Sequence, residues 1–138
     1  MNIRLSTVED IERMHAIRMA VKENILNTPH LVTRNDYVQM LNEKGKGWVY
    51  EENGVINGFA IIDAELKNVW ALFVHPESEQ RGIGRKLHDE LISWAKEQNL
   101  DKLWLTTDPG TRAEGFYRKG GWVENGMAGN EIRFEYSL

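Results

Sequence analysis

A single α/β domain, with a mixed, twisted sheet of about six or seven strands flanked by about four helices, is the fold class that this sequence predicts. Three observations predict it. The run Val69-Trp70-Ala71-Leu72-Phe73-Val74 is continuously apolar, as in a strand covered on both faces. A strongly amphipathic stretch follows, and then a second apolar run, Leu103-Trp104-Leu105-Thr106, again read as a buried strand. Strand, helix of about four turns and strand make a βαβ unit, which sets its two strands parallel in one sheet.

The other elements follow in order. Residues 2–5 alternate as a short first strand. Ser6 or Thr7 caps the next helix, and Glu9 and Asp10 suit its positive end. Ile11, Met14, Ile17, Arg18 and Val21 recur three or four apart as its buried stripe, and it stops before Pro29. Thr33 caps a second helix, Arg34 to Lys44, with Tyr37, Met40 and Leu41 on one face; Gly45 and Gly47 end it. Trp48 to Glu52 and Val55 to Asp63 flank Asn53-Gly54, the strongest short hairpin signal. The amphipathic helix carries Ile83, Leu87, Leu91, Trp94 and Ala95 on one side. After the loop Asp108-Pro109-Gly110-Thr111, a short helix from Arg112 to Lys119 is stopped by Gly120-Gly121, and strands near Trp122–Glu124 and Ile132–Tyr136 complete the sheet. No repeat, linker or low-complexity tract intervenes, so residues 1–138 read as one domain.

The 138 residues, 41% hydrophobic and 28% charged, have the profile of a soluble globular protein with a substantial core. A net charge of −4 argues against duplex nucleic acid as a partner. No apolar run approaches the roughly 18 residues of a membrane span. The start MNIRLSTVED has no apolar signal core, so a cytoplasmic location without membrane partners is expected. The absence of cysteine excludes disulfides, thiolate metal sites and cysteine nucleophiles, and no metal site is expected.

The most informative stretch is Gln80-Arg81-Gly82-Ile83-Gly84-Arg85-Lys86, at the head of the amphipathic helix. Glycine is a poor helix former, and no serine, threonine or aspartate cap is obvious just before Gly82. A backbone without Cβ atoms lets a ligand approach closely, and a helix start offers free N–H groups and partial positive charge. With Arg81, Arg85 and Lys86 nearby, that combination suits a phosphate or pyrophosphate. The stretch is not a Walker loop, since G-K-[ST] is missing. Nor is it the dinucleotide G-x-G-x-x-G, because Lys86 and Leu87 stand where the third glycine belongs. A turn with a fraying first helical residue is the plainer alternative.

Two blocks then carry a family resemblance. Leu72-Phe73-Val74-His75-Pro76, a short turn, and Arg81-Gly82-Ile83-Gly84-Arg85-Lys86-Leu87 resemble the acyl-CoA-binding motif of the GNAT superfamily of N-acetyltransferases, [QR]-x-x-G-x-[GA] after an apolar-x-Val-x-Pro strand. Ala113-Glu114-Gly115-Phe116-Tyr117-Arg118-Lys119-Gly120-Gly121-Trp122 resembles that family's A-x-x-x-Y-x-x-x-G-[FW] signature. The order of elements agrees across nearly the whole chain.

The resemblance implies a βαβ acyl-CoA-binding unit and acetyl transfer from acetyl-CoA to a primary amine of a small molecule or peptide, by direct attack in a ternary complex. Backbone groups of Leu72, Phe73 and Val74 would hold the pantetheine arm and thioester carbonyl. The amides of Gln80, Arg81, Gly82, Ile83, Gly84 and Arg85 would take the pyrophosphate, in a cleft between the diverging parallel strands. Tyr117 matches the tyrosine that protonates or hydrogen-bonds the departing thiolate; a plain packing tyrosine is its alternative. Family members often dimerise, so a homodimer is the oligomer implied. A non-catalytic acyl-CoA-sensing module of the same fold is the rival reading.

Three positions depart from the pattern. Glu79 stands at the motif's leading Gln or Arg position, Gly110 where many members have a cofactor-contacting asparagine, and Asn68 where some histone-directed members carry a glutamate base. Thr111 or backbone groups would then serve in place of the asparagine. For the base, Asp63 and Glu65 at the end of the hairpin strand, His75, or a water remain candidates. His30 lies where family members build their substrate wall, with a plain loop residue as the favoured alternative. The tryptophans at 48, 70, 94, 104 and 122 read first as packing, with Trp70 and Tyr50 candidates for an acceptor pocket. Arg112 is a candidate for an acidic group of a substrate, or for an ion pair with Glu114 or Asp108.

Overall fold

Alternation along the central strands decides the architecture. Trp48, Tyr50, Ala60 and Ile62 face one side of the sheet, and Val49, Phe59 and Ile61 face the other, so both faces are apolar and each requires a cover. The computed structural model describes residues 2–21 and 32–138, and in them helices provide those covers. His30 lies outside the described residues, whereas the first helix ends at Ala20, well before Pro29, with Val21 already extended as its C-cap and so outside the helical stripe.

The strands are β1 (Ile3–Leu5), β2 (Gly45–Glu52), β3 (Val55–Asp63), β4 (Asn68–Val74), β5 (Lys102–Thr107), β6 (Val123–Ala128) and β7 (Glu131–Ser137). They form one seven-stranded sheet in the order β1-β2-β3-β4-β5-β7-β6. All neighbours are antiparallel except β4 and β5. The described helices are α1 (Ile11–Ala20), α2 (Arg34–Gln39), α3 (Ile83–Glu97) and α4 (Arg112–Lys119). The fold is thus the expected single α/β domain, with β4, α3 and β5 as its βαβ unit.

One face packs α3: Ile83, Leu87, Leu91 and Ala95, spaced to fall on a single stripe, meet Leu103, Leu105, Trp122 and Phe134. The opposite face packs α1, α2 and the turn that follows α2 through Ile11, Met14, Ile17, Tyr37 and Met40. Thr33 caps α2 as expected, its hydroxyl accepting the Asp36 N–H at 3.2 Å while Asp36 accepts the Thr33 N–H at 2.8 Å.

Some boundaries differ for physical reasons. The second helix ends at Gln39 and continues as a single π-helical turn, Met40–Lys44. Gly45 and Gly47 then belong to β2 rather than to a terminating loop. A Cβ on Gly45 would collide with the Ile62 carbonyl oxygen, so only glycine lets the strand enter there. β4 and β5 are not buried on both faces: most of β4 is half-exposed and β5 alternates. Their composition reads as fully covered because an apolar strand that walls a groove has the same sequence pattern as one packed under a helix.

Candidate active site

The parallel strands β4 and β5 pair at one position only, Asn68 opposite Trp104. The Asn68 side chain fastens that end, donating from Nδ2 to the Trp104 carbonyl at 3.2 Å. Beyond it the strands diverge towards their carboxyl ends, the place where open α/β sheets receive ligands. A bulge sharpens the opening: the register of β3 on β4 skips Trp70, between Ile61–Ala71 and Ile62–Val69. A cavity of about 290 Å³ fills the wedge, walled by Val69 to Val74 on one side and Leu105 to Asp108 on the other. Glu131 and Tyr117 also line it.

A second cavity of about 370 Å³ runs from there along the start of α3. Its walls include Gln80, Gly82, Ile83, Gly84 and Arg85 from the turn and Phe116 and Tyr117 from α4. Gly82 is the N-cap of α3 with φ of 80°, and no side chain caps the helix. A Cβ at Gly82 would have no protein atom within 4 Å, so both its left-handed backbone and its bareness are real. Gly84 differs: its Cβ would meet the Phe116 ring at 3.4 Å and Val74 at 3.5 Å, ordinary contact distances, so the packing of α3 on α4 and β4 leaves room for a methyl group there.

Leu72, Phe73, Val74, Gln80, Gly82, Ile83, Gly84, Arg85 and Tyr117 all line one cavity or both; Arg81 lines neither. The charged ends of the basic side chains expected at the turn are each engaged by a protein group. Arg81 donates to Glu52 at 2.7 Å. Arg85 donates to the Phe116 carbonyl at 3.1 Å and lies over the Phe116 ring at 4.3 Å, closing the end of α4. Lys86 sits over the Tyr50 ring at 5.7 Å. Arg112 instead borders both cavities, its Nη1 2.6 Å from Oε2 of Glu79. That partner is neither Glu114 nor Asp108. Glu114 pairs with Arg118 at 2.9 Å and accepts the Gly110 N–H at 2.7 Å, bonds that hold its carboxyl below the usual range. Thr111 spends its hydroxyl on capping α4, accepting the Glu114 N–H at 3.3 Å and donating to the Asp108 carbonyl at 2.8 Å.

The base candidates fare differently from one another. Asp63 lies opposite Asn68, at the fastened end of the wedge, where its Oδ1 accepts the Leu66 N–H at 3.0 Å. Glu65 follows in the same turn, away from the cavities. His75 accepts the Glu77 N–H at its Nδ1, at 3.1 Å, and lines neither cavity. Tyr50 is buried and its hydroxyl accepts from Asn2 at 3.0 Å, whereas Trp70 does line the wedge. The sequence reading missed Glu131, whose Oε1 accepts the Thr106 hydroxyl at 3.2 Å on the β5 side of the wedge. Its signal was only the strand register, which sets the start of β7 beside the end of β5.

Tyr117 is 7% exposed, against Trp122 at 5.5 Å and Phe116 at 5.2 Å between ring centroids. Burial pushes its hydroxyl well above the ordinary tyrosine value, so it stays a neutral O–H donor. Trp122 is held in turn by His88, whose Nε2 accepts the indole N–H at 2.9 Å. Burial lowers the His88 pKa and keeps the ring neutral, with its Nδ1 3.0 Å from Asp89.

Residues 11–122 match a sequence model of the acetyltransferase (GNAT) family. The chain belongs to the GNAT family. It is an acyltransferase by that membership. Solved structures agree on the fold. PaiA N-acetyltransferase from Thermoplasma acidophilum, in complex with coenzyme A, superimposes with a TM-score of 0.83 at 14% identity over 100% of both chains. Ard1 from Thermoplasma volcanium gives 0.82 at 20% identity, covering 99% of this GNAT chain and 96% of its own. The ribosomal-protein-S18-alanine N-acetyltransferase from Escherichia coli gives 0.78 at 18%, covering 99% and 91%. No curated protein matches the sequence significantly. Among the described residues no helix is long and apolar enough to cross a membrane.

Proposed function

We propose that this GNAT protein transfers the acetyl group of acetyl-CoA to a primary amine of a small molecule or peptide, by direct attack in a ternary complex. One observation carries the reading: the wedge between β4 and β5 adjoins the cavity at the uncapped start of α3, the two sharing Leu72, Val74 and Tyr117 as walls. Acetyl-CoA supplies the thioester, and its shape, a thin arm ending in a diphosphate, suits a narrow groove ending in bare amides.

The backbone of Leu72, Phe73 and Val74 guides the arm, as strand edges do for extended ligands. The amides from Gln80 to Arg85 face the diphosphate, and Gly82 keeps them accessible. Glu131 is the carboxylate placed to take the proton that the amine loses as its nitrogen bonds to the acetyl carbon. Tyr117 steadies the sulfur as the carbon–sulfur bond breaks. A thiol titrates near 8.5 and a tyrosine near 10 before burial, so the O–H of Tyr117 serves as a hydrogen-bond donor rather than as the final proton source.

The test is direct. Acetyl-CoA raises the melting temperature by linkage, and Gly82→Asp, which sets a carboxylate among the amides, abolishes the rise. A panel of amines, polyamines and peptides, read by release of free thiol, then identifies the acceptor. Absence of any shift with acetyl-CoA or other acyl-CoA esters overturns the proposal. A shift without transfer to any amine favours the sensing module.

A further inference from the structure

We propose that Arg112 is the side-chain cation that receives the cofactor's diphosphate, and that Glu79 is its resting partner, displaced when the diphosphate arrives. This rests on the acetyl-CoA reading above and adds to it the source of the positive charge.

The need for such a source comes from the turn itself. Three cations stand in its sequence, and the charged end of each is already engaged: Arg81 with Glu52, Arg85 with the Phe116 carbonyl and ring on the wall of the second cavity, and Lys86 with the face of Tyr50. The side chain at the turn's leading edge is Glu79, whose charge opposes a diphosphate. Left alone, Glu79 would repel the ligand that the amides of the same turn attract.

Arg112 resolves this. It stands at the first position of α4, across the groove from Glu79, and their ion pair is 2.6 Å long. Both residues line the wedge cavity and the cavity at the head of α3, together with Leu72, Val74, Ala113 and Tyr117. The pair therefore stands at the junction of the two cavities, where an arm running from one to the other must pass. Its side chains are 57% and 33% exposed, so the bond is screened by water and contributes little to stability. Guanidinium binds phosphate oxygens in the same forked geometry as carboxylate oxygens. Exchanging Glu79 for a diphosphate keeps the Arg112 charge paired and lets Glu79 turn to solvent. Glu79 thus holds Arg112 ready at the crossing and also competes with the ligand for it.

The two roles separate by substitution and by ligand. Affinities for acetyl-CoA and for S-acetylpantetheine, which has the thioester arm but no diphosphate, are measured by calorimetry or from the KM of transfer. Arg112→Gln raises the Kd of acetyl-CoA about tenfold, the loss of a charge-assisted phosphate contact, and leaves S-acetylpantetheine unchanged. Glu79→Gln lowers the Kd of acetyl-CoA about two- to fivefold, the range of an exposed ion pair, and the gain vanishes in the double variant. Equal weakening of both ligands by Arg112→Gln overturns the proposal, as does weaker acetyl-CoA binding by Glu79→Gln. Wild-type protein that binds neither ligand overturns the acetyl-CoA reading itself, an outcome distinct from both.

Discussion

Tyr117 shows how one residue's surroundings select among its chemical roles. Its ring is enclosed by Phe116, Trp122 and Phe134, and only a small part of it remains exposed. Burial disfavours the phenolate, so the hydroxyl keeps its proton throughout the range in which a thiolate leaves. Removing that hydroxyl and nothing else, by Tyr117→Phe, lowers kcat about ten- to a hundredfold while the KM for acetyl-CoA stays within about twofold. Steady-state thiol release at saturating acetyl-CoA measures both, and an unchanged kcat sinks the donor role. Because the ring is retained, the packing against Trp122 survives and the folded state serves as its own control.

The start of α3 is where element and ligand meet, and its two glycines separate cleanly. Gly82 sits at φ of 80° in open space, whereas the neighbours of Gly84 would meet a Cβ only at ordinary contact distance. Gly82→Ala therefore costs about 1–2 kcal/mol of unfolding free energy and weakens acetyl-CoA binding; Gly84→Ala changes stability by less than about 1 kcal/mol. Urea unfolding ranks them, and an equal loss from both refutes the distinction. The sequence alone made both glycines look alike, because it shows spacing but not what stands opposite. The same limit runs through the site. The strands, α3, α4, the Asn53-Gly54 hairpin and the Thr33 cap were legible, since each depends on neighbours within a few residues. The Trp70 bulge, the commitment of Arg85 to α4 and the meeting of Glu79 with Arg112 were not, since each is set by an element packed from elsewhere in the chain. Asp63 and Glu65 line neither cavity for a related reason: hairpin register, invisible in composition, sets Asp63 at the fastened end of the wedge, with Glu65 in the turn after it.

At the scale of the molecule, a buried hydrogen bond from Trp122 to His88 joins α3 to the segment after α4, within the apolar packing between them. His88 can accept it only while Nε2 is unprotonated. Burial depresses its pKa, Asp89 partly offsets this, and the nearby Arg85 adds to the depression. The unfolded chain therefore binds a proton near pH 6.5 that the folded chain refuses, so stability is full above that value and falls as the pH drops below it. Melting curves from about pH 7.5 to about pH 5 will show the wild type losing stability more steeply than His88→Gln, whose amide oxygen can accept the indole N–H at every pH. Parallel slopes would remove His88 from the account. A larger division lies across the sheet. With one pairing between β4 and β5, the seven strands are one rung short of being two separate ladders, of four and of three. The protein consequently carries two strand edges within its own interior, the kind of surface that other proteins blunt or cover because it recruits stray chains. In the proposed function a pantetheine arm, which has amides of its own, would lie along that edge as a short non-peptide strand. On this view the substrate is also a missing piece of the scaffold, and the rise in melting temperature on binding measures how much of the sheet it completes.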